Sequence, residues 1–143
     1  MVNCIRKEPC LNPYNSFIDG FTFDKNGLTV IRYSVQITQT VHFRDSLYFN
    51  IIDEGDALQQ HGEEKNDNDP NTDVRLRYWF YAYDDSNLID SFNEQTHNSY
   101  KGKLKHFFIY TENEMVEVLS QFEPEISFKE SRQAESDESG VSQ

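Results

Sequence analysis

Asp67, Asp69, Asn71 and Asp73 stand at alternating positions within HGEEKNDNDPNTDVRLRYWFYAYDD (61–85). That is the spacing by which a calcium loop brings several hard oxygens onto one ion. Two positions spoil the match: Thr72 stands where such a loop needs glycine for its sharp turn, and Tyr78 stands where it needs a bidentate glutamate. Pro70 restricts the backbone further. The four residues are therefore weak calcium candidates in what reads as a solvated loop, and no cofactor is expected.

The same acids suggest a second chemistry, charge recognition. Between residues 53 and 73 eight carboxylates, Glu63, Glu64, Asp67, Asp69 and Asp73 among them, face the single Lys65, so this stretch holds seven of the twelve net negative charges. A chain of formal charge −12 and pI near 4.6 repels phosphate backbones and anionic membranes and is steered toward basic surfaces. Nucleic acid is not expected as a direct partner; a basic protein is, with charge contributing on-rate and selectivity. The competing reading of the loop is that its acids only keep the protein dispersed.

Directly after the acids comes Arg75, Arg77, Trp79, Tyr81, Tyr83, one side of an alternating run whose other side is Val74, Leu76, Tyr78, Phe80 and Ala82. Exposed, the first set offers guanidinium groups and flat rings to a partner or a sugar. Covered by a second layer, it is half of a core, and burial of Trp79 and at least one tyrosine is the favoured outcome because the chain otherwise lacks apolar surface to fill a domain.

Catalytic patterns are thin. His42, His61, His97 and His106 do not fall at metal-ligand spacings, and glycine loops for phosphate or a nucleophile elbow are missing. His106, between Lys105 and Phe107 on an expected strand, reads as structural. Asp84 and Asp85 are adjacent and would diverge on a turn. Cys4 and Cys10 form no CxxC and cannot supply a four-cysteine zinc site, and both a disulfide and a reduced pair stay open.

The elements that must position these residues are mostly strands. The length of 143 residues suits one domain, and 14% aromatic content against 36% hydrophobic content puts the core on large rings. Residues 1–16 read as an irregular lead-in, 17–129 as a single β-rich domain with a long acidic loop at 53–73, and 130–143 as a disordered acidic tail. Asn26-Gly27 between FIDGFTFD and LTVIRYSVQIT marks a hairpin. In the second arm Ile31, Tyr33, Val35 and Ile37 are expected on one buried face. Asp45-Ser46 suggests a turn or bulge, KLKHFFIYT another strand, and Leu88 to Phe92 a short helix or strand. Thr111 and Glu114 have capping-box spacing ahead of MVEVLSQF, which favours a helix there over a strand.

The expected fold is mainly β (β-rich α+β), an antiparallel sandwich or half-open barrel of six to eight strands with one short helix. No apolar run is long enough for a membrane helix, and the Met1 region lacks a signal's apolar stretch, so a cytoplasmic protein is expected. The favoured function is a non-catalytic acidic protein that binds and blocks a basic partner protein, in the manner of inhibitors and immunity proteins of phages, viruses or competing bacteria. The alternatives are a carbohydrate or small-ligand module using an exposed aromatic face, and an enzyme with a dispersed site.

Overall fold

The computed structural model describes residues 4–9, 16–53 and 78–130. Two antiparallel sheets dominate. One has five strands in the order β1 (Cys4–Pro9), β6 (Tyr78–Tyr83), β7 (Lys105–Tyr110), β8 (Glu114–Ser120), β5 (Ser46–Asp53). The other has four, in the order β2 (Ser16–Asp24), β3 (Gly27–Ser34), β4 (Ile37–Phe43), β9 (Glu125–Glu130). Among the described residues one helix, α1 (Asn87–Gln95), lies between β6 and β7. The described residues are thus mainly β, a sandwich with one short helix, as the alternating patterns require. Among the described residues no helix is long and apolar enough to cross a membrane.

Among the described residues, β1 occupies part of what reads as an irregular lead-in. Its residues pair with β6 through two register shifts, so no clean period survives in CIRKEP. The rest of the lead-in, the segment 54–77 and the tail from 131 lie outside the described residues.

Leu28, Val30, Val41 and Phe43 from the four-stranded sheet meet Phe80, Ala82, Phe107, Ile109, Val116 and Val118 from the five-stranded sheet in one buried cluster. The β2–β3 hairpin turns through Lys25-Asn26, with Asp24 opposite Gly27. Asp24 accepts from the Asn26 amide at 2.8 Å, and Gly27 has φ +110°. A Cβ at Gly27 would run into the carbonyl of Phe43, so glycine is required twice over, by conformation and by contact.

LTVIRYSVQIT is not one strand. It breaks at Val35-Gln36, where both residues have positive φ, 40° and 67°, and Ser34 pairs with Ile37 across a two-residue turn. This geometry normally calls for Asn-Gly, and a β-branched residue in it is strained. The buried face is also the opposite of the one expected: Leu28, Val30, Arg32 and Ser34 point inward, while Ile31 and Tyr33 are only partly covered. An arginine on the inward face is what misleads the alternation. Replacing Val35-Gln36 by Asn-Gly should stabilise the protein by about 1 kcal/mol, read as a shift of the urea midpoint; an unchanged or lower midpoint would refute the strain.

The break at Asp45-Ser46 holds: β4 ends at Phe43 and β5 begins at Ser46 in the other sheet. The expected helix after Thr111 is a strand instead. Thr111 and Glu114 do bond one another, the Glu114 amide donating to Thr111 Oγ1 at 3.0 Å and the Thr111 amide donating to the Glu114 carbonyl at 2.9 Å. They close the β7–β8 hairpin rather than start a helix. Between β7 and β5, the run Met115–Ser120 is buried on both faces, a setting that β-branched Val116 and Val118 suit. The helix falls at Asn87–Gln95, where Ser86 supplies the cap by accepting from the Ile89 amide at 3.1 Å.

Candidate interaction surface

The aromatic stripe is not an open platform, in line with the favoured burial of Trp79 and at least one tyrosine. Trp79 is 2% exposed, and Tyr81 and Tyr83 are fully buried. They do not share a face either. One step on β1, from Glu8 to Pro9, matches two on β6, from Phe80 to Tyr78, so Trp79 is the extra residue of a bulge, and a bulge re-aims its side chain. Trp79 joins Phe80 and Ala82 in the core between the sheets. Tyr81 and Tyr83 lie on the other face with Phe108, Tyr110 and Met115, and Tyr78 packs beside them. Of the other partner candidates, Glu63, Glu64, Asp67, Asp69, Asp73, Arg75 and Arg77 lie outside the described residues, as do all four calcium candidates.

On that second face the structure assembles a group that no local motif announces. Ser86 Oγ lies 2.8 Å from His106 Nδ1, and His106 Nε2 lies 3.0 Å from Glu117 Oε1. All three residues are 2% exposed. His106 rests against the ring of Phe108 at 4.2 Å between centroids. Burial first, and then the Glu117 charge, push the Tyr48 phenol above its ordinary value. A signal was present in the sequence: one acid within MVEVL (115–119) and one histidine within HFFIY (106–110), both in runs otherwise apolar.

The connectivity Ser–His–Glu is that of an activated nucleophile, and the same bonds also serve the fold. Ser86 Oγ already receives the Ile89 amide as the α1 cap. The cleft of about 450 Å³ beside α1 is lined by Asp84, Asp85, Asp90, Lys103 and Lys105 with their neighbours, and by none of the three. The chain of bonds ties the helix start to β7 and β8.

Besides Phe17, Val35 and Phe128, which are exposed on β2, the β3–β4 turn and β9, the described residues present to solvent a rim on the side where β5 and β2 lie next to each other. Phe49 on β5 packs against Phe21 and Phe23 on β2, with ring centroids 5.1 and 5.0 Å apart. Phe23 is 56% exposed and Ile51, two residues beyond Phe49, 45%. The inward period of each strand puts these side chains toward the core, and the strands' place at the margin of their sheets leaves them open. Asp24 next to Phe23 and Asp19 on the same strand are exposed acids. A second exposed feature, at the far margin, is a cleft of about 410 Å³ where the Arg44 guanidinium lies 4.2 Å over the ring of Phe122, beside His42, Glu123 and Glu125. Glu123 is already held by Arg6 at 2.8 Å, and His42 by Thr29 at 3.0 Å. Of the two, the β5–β2 rim alone combines several large apolar groups, the kind of patch that marks contact with another macromolecule. The chain matches no family model, no curated protein and no solved structure.

Proposed function

We propose that this chain is a non-catalytic, acidic protein-binding protein that blocks a positively charged partner protein, an inhibitor or immunity-type factor. One observation carries the reading: a net charge of −12 accompanies an exposed apolar rim of Phe23 and Ile51 backed by Phe49. Charge at this density raises the rate of encounter with a basic surface and excludes acidic competitors. A hydrophobic anchor then lengthens residence, because burying large apolar side chains at the centre of an interface dominates its energy. The rim takes the role that the sequence suggests for Trp79, Tyr81 and Tyr83. The carbohydrate alternative rests on those same rings being open, and they are buried.

The two contributions separate in kinetics. With the partner retrieved from the native host on the full-length protein, raising ionic strength from low to well above physiological should slow association about tenfold. Phe23→Ser should mainly speed dissociation, again about tenfold. Association that ignores salt would overturn the reading.

A further inference from the structure

Among the described residues the two sheets have four margins, and three of them are blunted. β1 carries Arg6, Lys7 and Glu8 and ends at Pro9, which has no N–H to offer. β9 carries Glu125, Lys129 and Glu130. β2 is interrupted between Ile18 and Gly20, where Asp19 is the extra, exposed residue. Charges, prolines and bulges are the devices by which proteins keep a sheet margin from pairing with another chain.

β5 lacks all three over its central run. Its one irregularity lies between Ser46 and Tyr48. From Tyr48 to Ile52 it stays in register with Leu119 to Met115 of β8 and contains no charge, proline or glycine. It is the last strand of its sheet, so the N–H and C=O groups on its outer side have no neighbouring strand among the described residues. Asn50 and Ile51 are exposed.

We propose that β5 is a docking strand: an extended segment of a positively charged partner protein adds to it as a further strand of the five-stranded sheet. This rests on the proposed function and names how the partner is held. Main-chain hydrogen bonds to β5 would provide the register. Alternate side chains of the incoming segment would settle on the shelf made by Ile51, Phe49 and Phe23, and those between would pass Tyr48 and Asn50. Asp24, exposed beside Phe23, suits a lysine or arginine at the end of the shelf. A second copy of this chain is the wrong occupant, since it would bring the same twelve negative charges to the contact.

The probe is a short synthetic peptide of alternating lysine and valine, with a twin in which the two central valines are prolines; charge is equal and strand pairing differs. Bound to the full chain, the alternating peptide should slow hydrogen exchange of the Tyr48–Ile52 amides, and the proline twin should bind at least roughly tenfold more weakly. Ile51→Asp separates the causes further. It makes the protein more negative, so steering alone leaves binding equal or tighter, whereas strand docking loses roughly tenfold. Phe23→Asp, on the other sheet and more exposed, repeats the test should Ile51→Asp fail to fold. Equal, salt-sensitive binding of both peptides without protection of β5 overturns strand docking and leaves the basic partner standing. Binding of neither peptide at low salt overturns both. Sedimentation of the protein alone as a dimer, with β5 amides already protected, assigns the strand to a second copy and overturns the proposal.

Discussion

His106→Ala should lower the unfolding free energy by about 3–5 kcal/mol, enough to unfold a domain of ordinary stability at modest urea. Glu117 and His106 are each only 3% exposed in their side chains and meet at 3.0 Å. Removing the imidazole leaves a carboxylate in the aromatic layer of Tyr81, Tyr83, Phe108 and Tyr110 without the group that faces it. Ser86 loses its bond to the ring but keeps the Ile89 amide, so the helix cap should survive and the deficit should trace to Glu117. A double variant, His106→Leu with Glu117→Met, removes both partners and should recover most of the loss, because a buried pair can be exchanged for well-packed apolar side chains at little net change. Urea midpoints followed by circular dichroism provide the comparison. A His106→Ala midpoint equal to wild type would mean that Glu117 finds water or another donor.

Arg32→Ala comes next in size, at about 3 kcal/mol. Arg32 is buried on the inward face of β3. Its Nε donates to the Tyr110 carbonyl at 2.6 Å and its Nη1 to Gln39 Oε1 at 2.6 Å, while the guanidinium lies 5.4 Å over the ring of Trp79. Truncation strands two buried acceptors and opens a void beneath the tryptophan. Arg32→Met keeps the stem and most of the volume, so it should recover the packing part of the loss and forfeit only the hydrogen bonds. Trp79 is the sole tryptophan, and its emission should move to the red in Arg32→Ala. Unchanged stability and emission would contradict the placement.

Arg32 also shows why part of the fold was hard to read. Alternation sorts residues by polarity, and a strand that turns an arginine inward inverts the result, which is why Ile31 and Tyr33 looked buried and are not. Trp79 illustrates the second difficulty. A bulge shifts the period by one, and nothing in YWFYAY distinguishes a bulged Trp79 from a regular one until β1 is known to pair beside it. Val35-Gln36 hid a turn because it lacks the residues such a turn favours. Where local chemistry was unambiguous the reading succeeded: Gly27 in its hairpin, the break at Asp45-Ser46, the strands 78–83 and 105–110. Thr111 and Glu114 fall between, a real mutual contact whose meaning depended on whether the following run was flanked by strands. The Ser86–His106–Glu117 chain brings together residues 20 and 11 positions apart, and the β5–β2 rim joins two sheets, so both required the tertiary fold.

The central claim is that negative charge recruits a basic protein which the apolar rim then holds. Its most direct test is the association rate of the native partner with wild type and with Glu63→Gln, Glu64→Gln, Asp67→Asn, Asp69→Asn combined, each measured across a range of ionic strength. The expected result is slower association for the neutralised protein by about tenfold at low salt, with a shallower salt dependence and a dissociation rate little changed. Identical rates and identical salt slopes for the two proteins would contradict it.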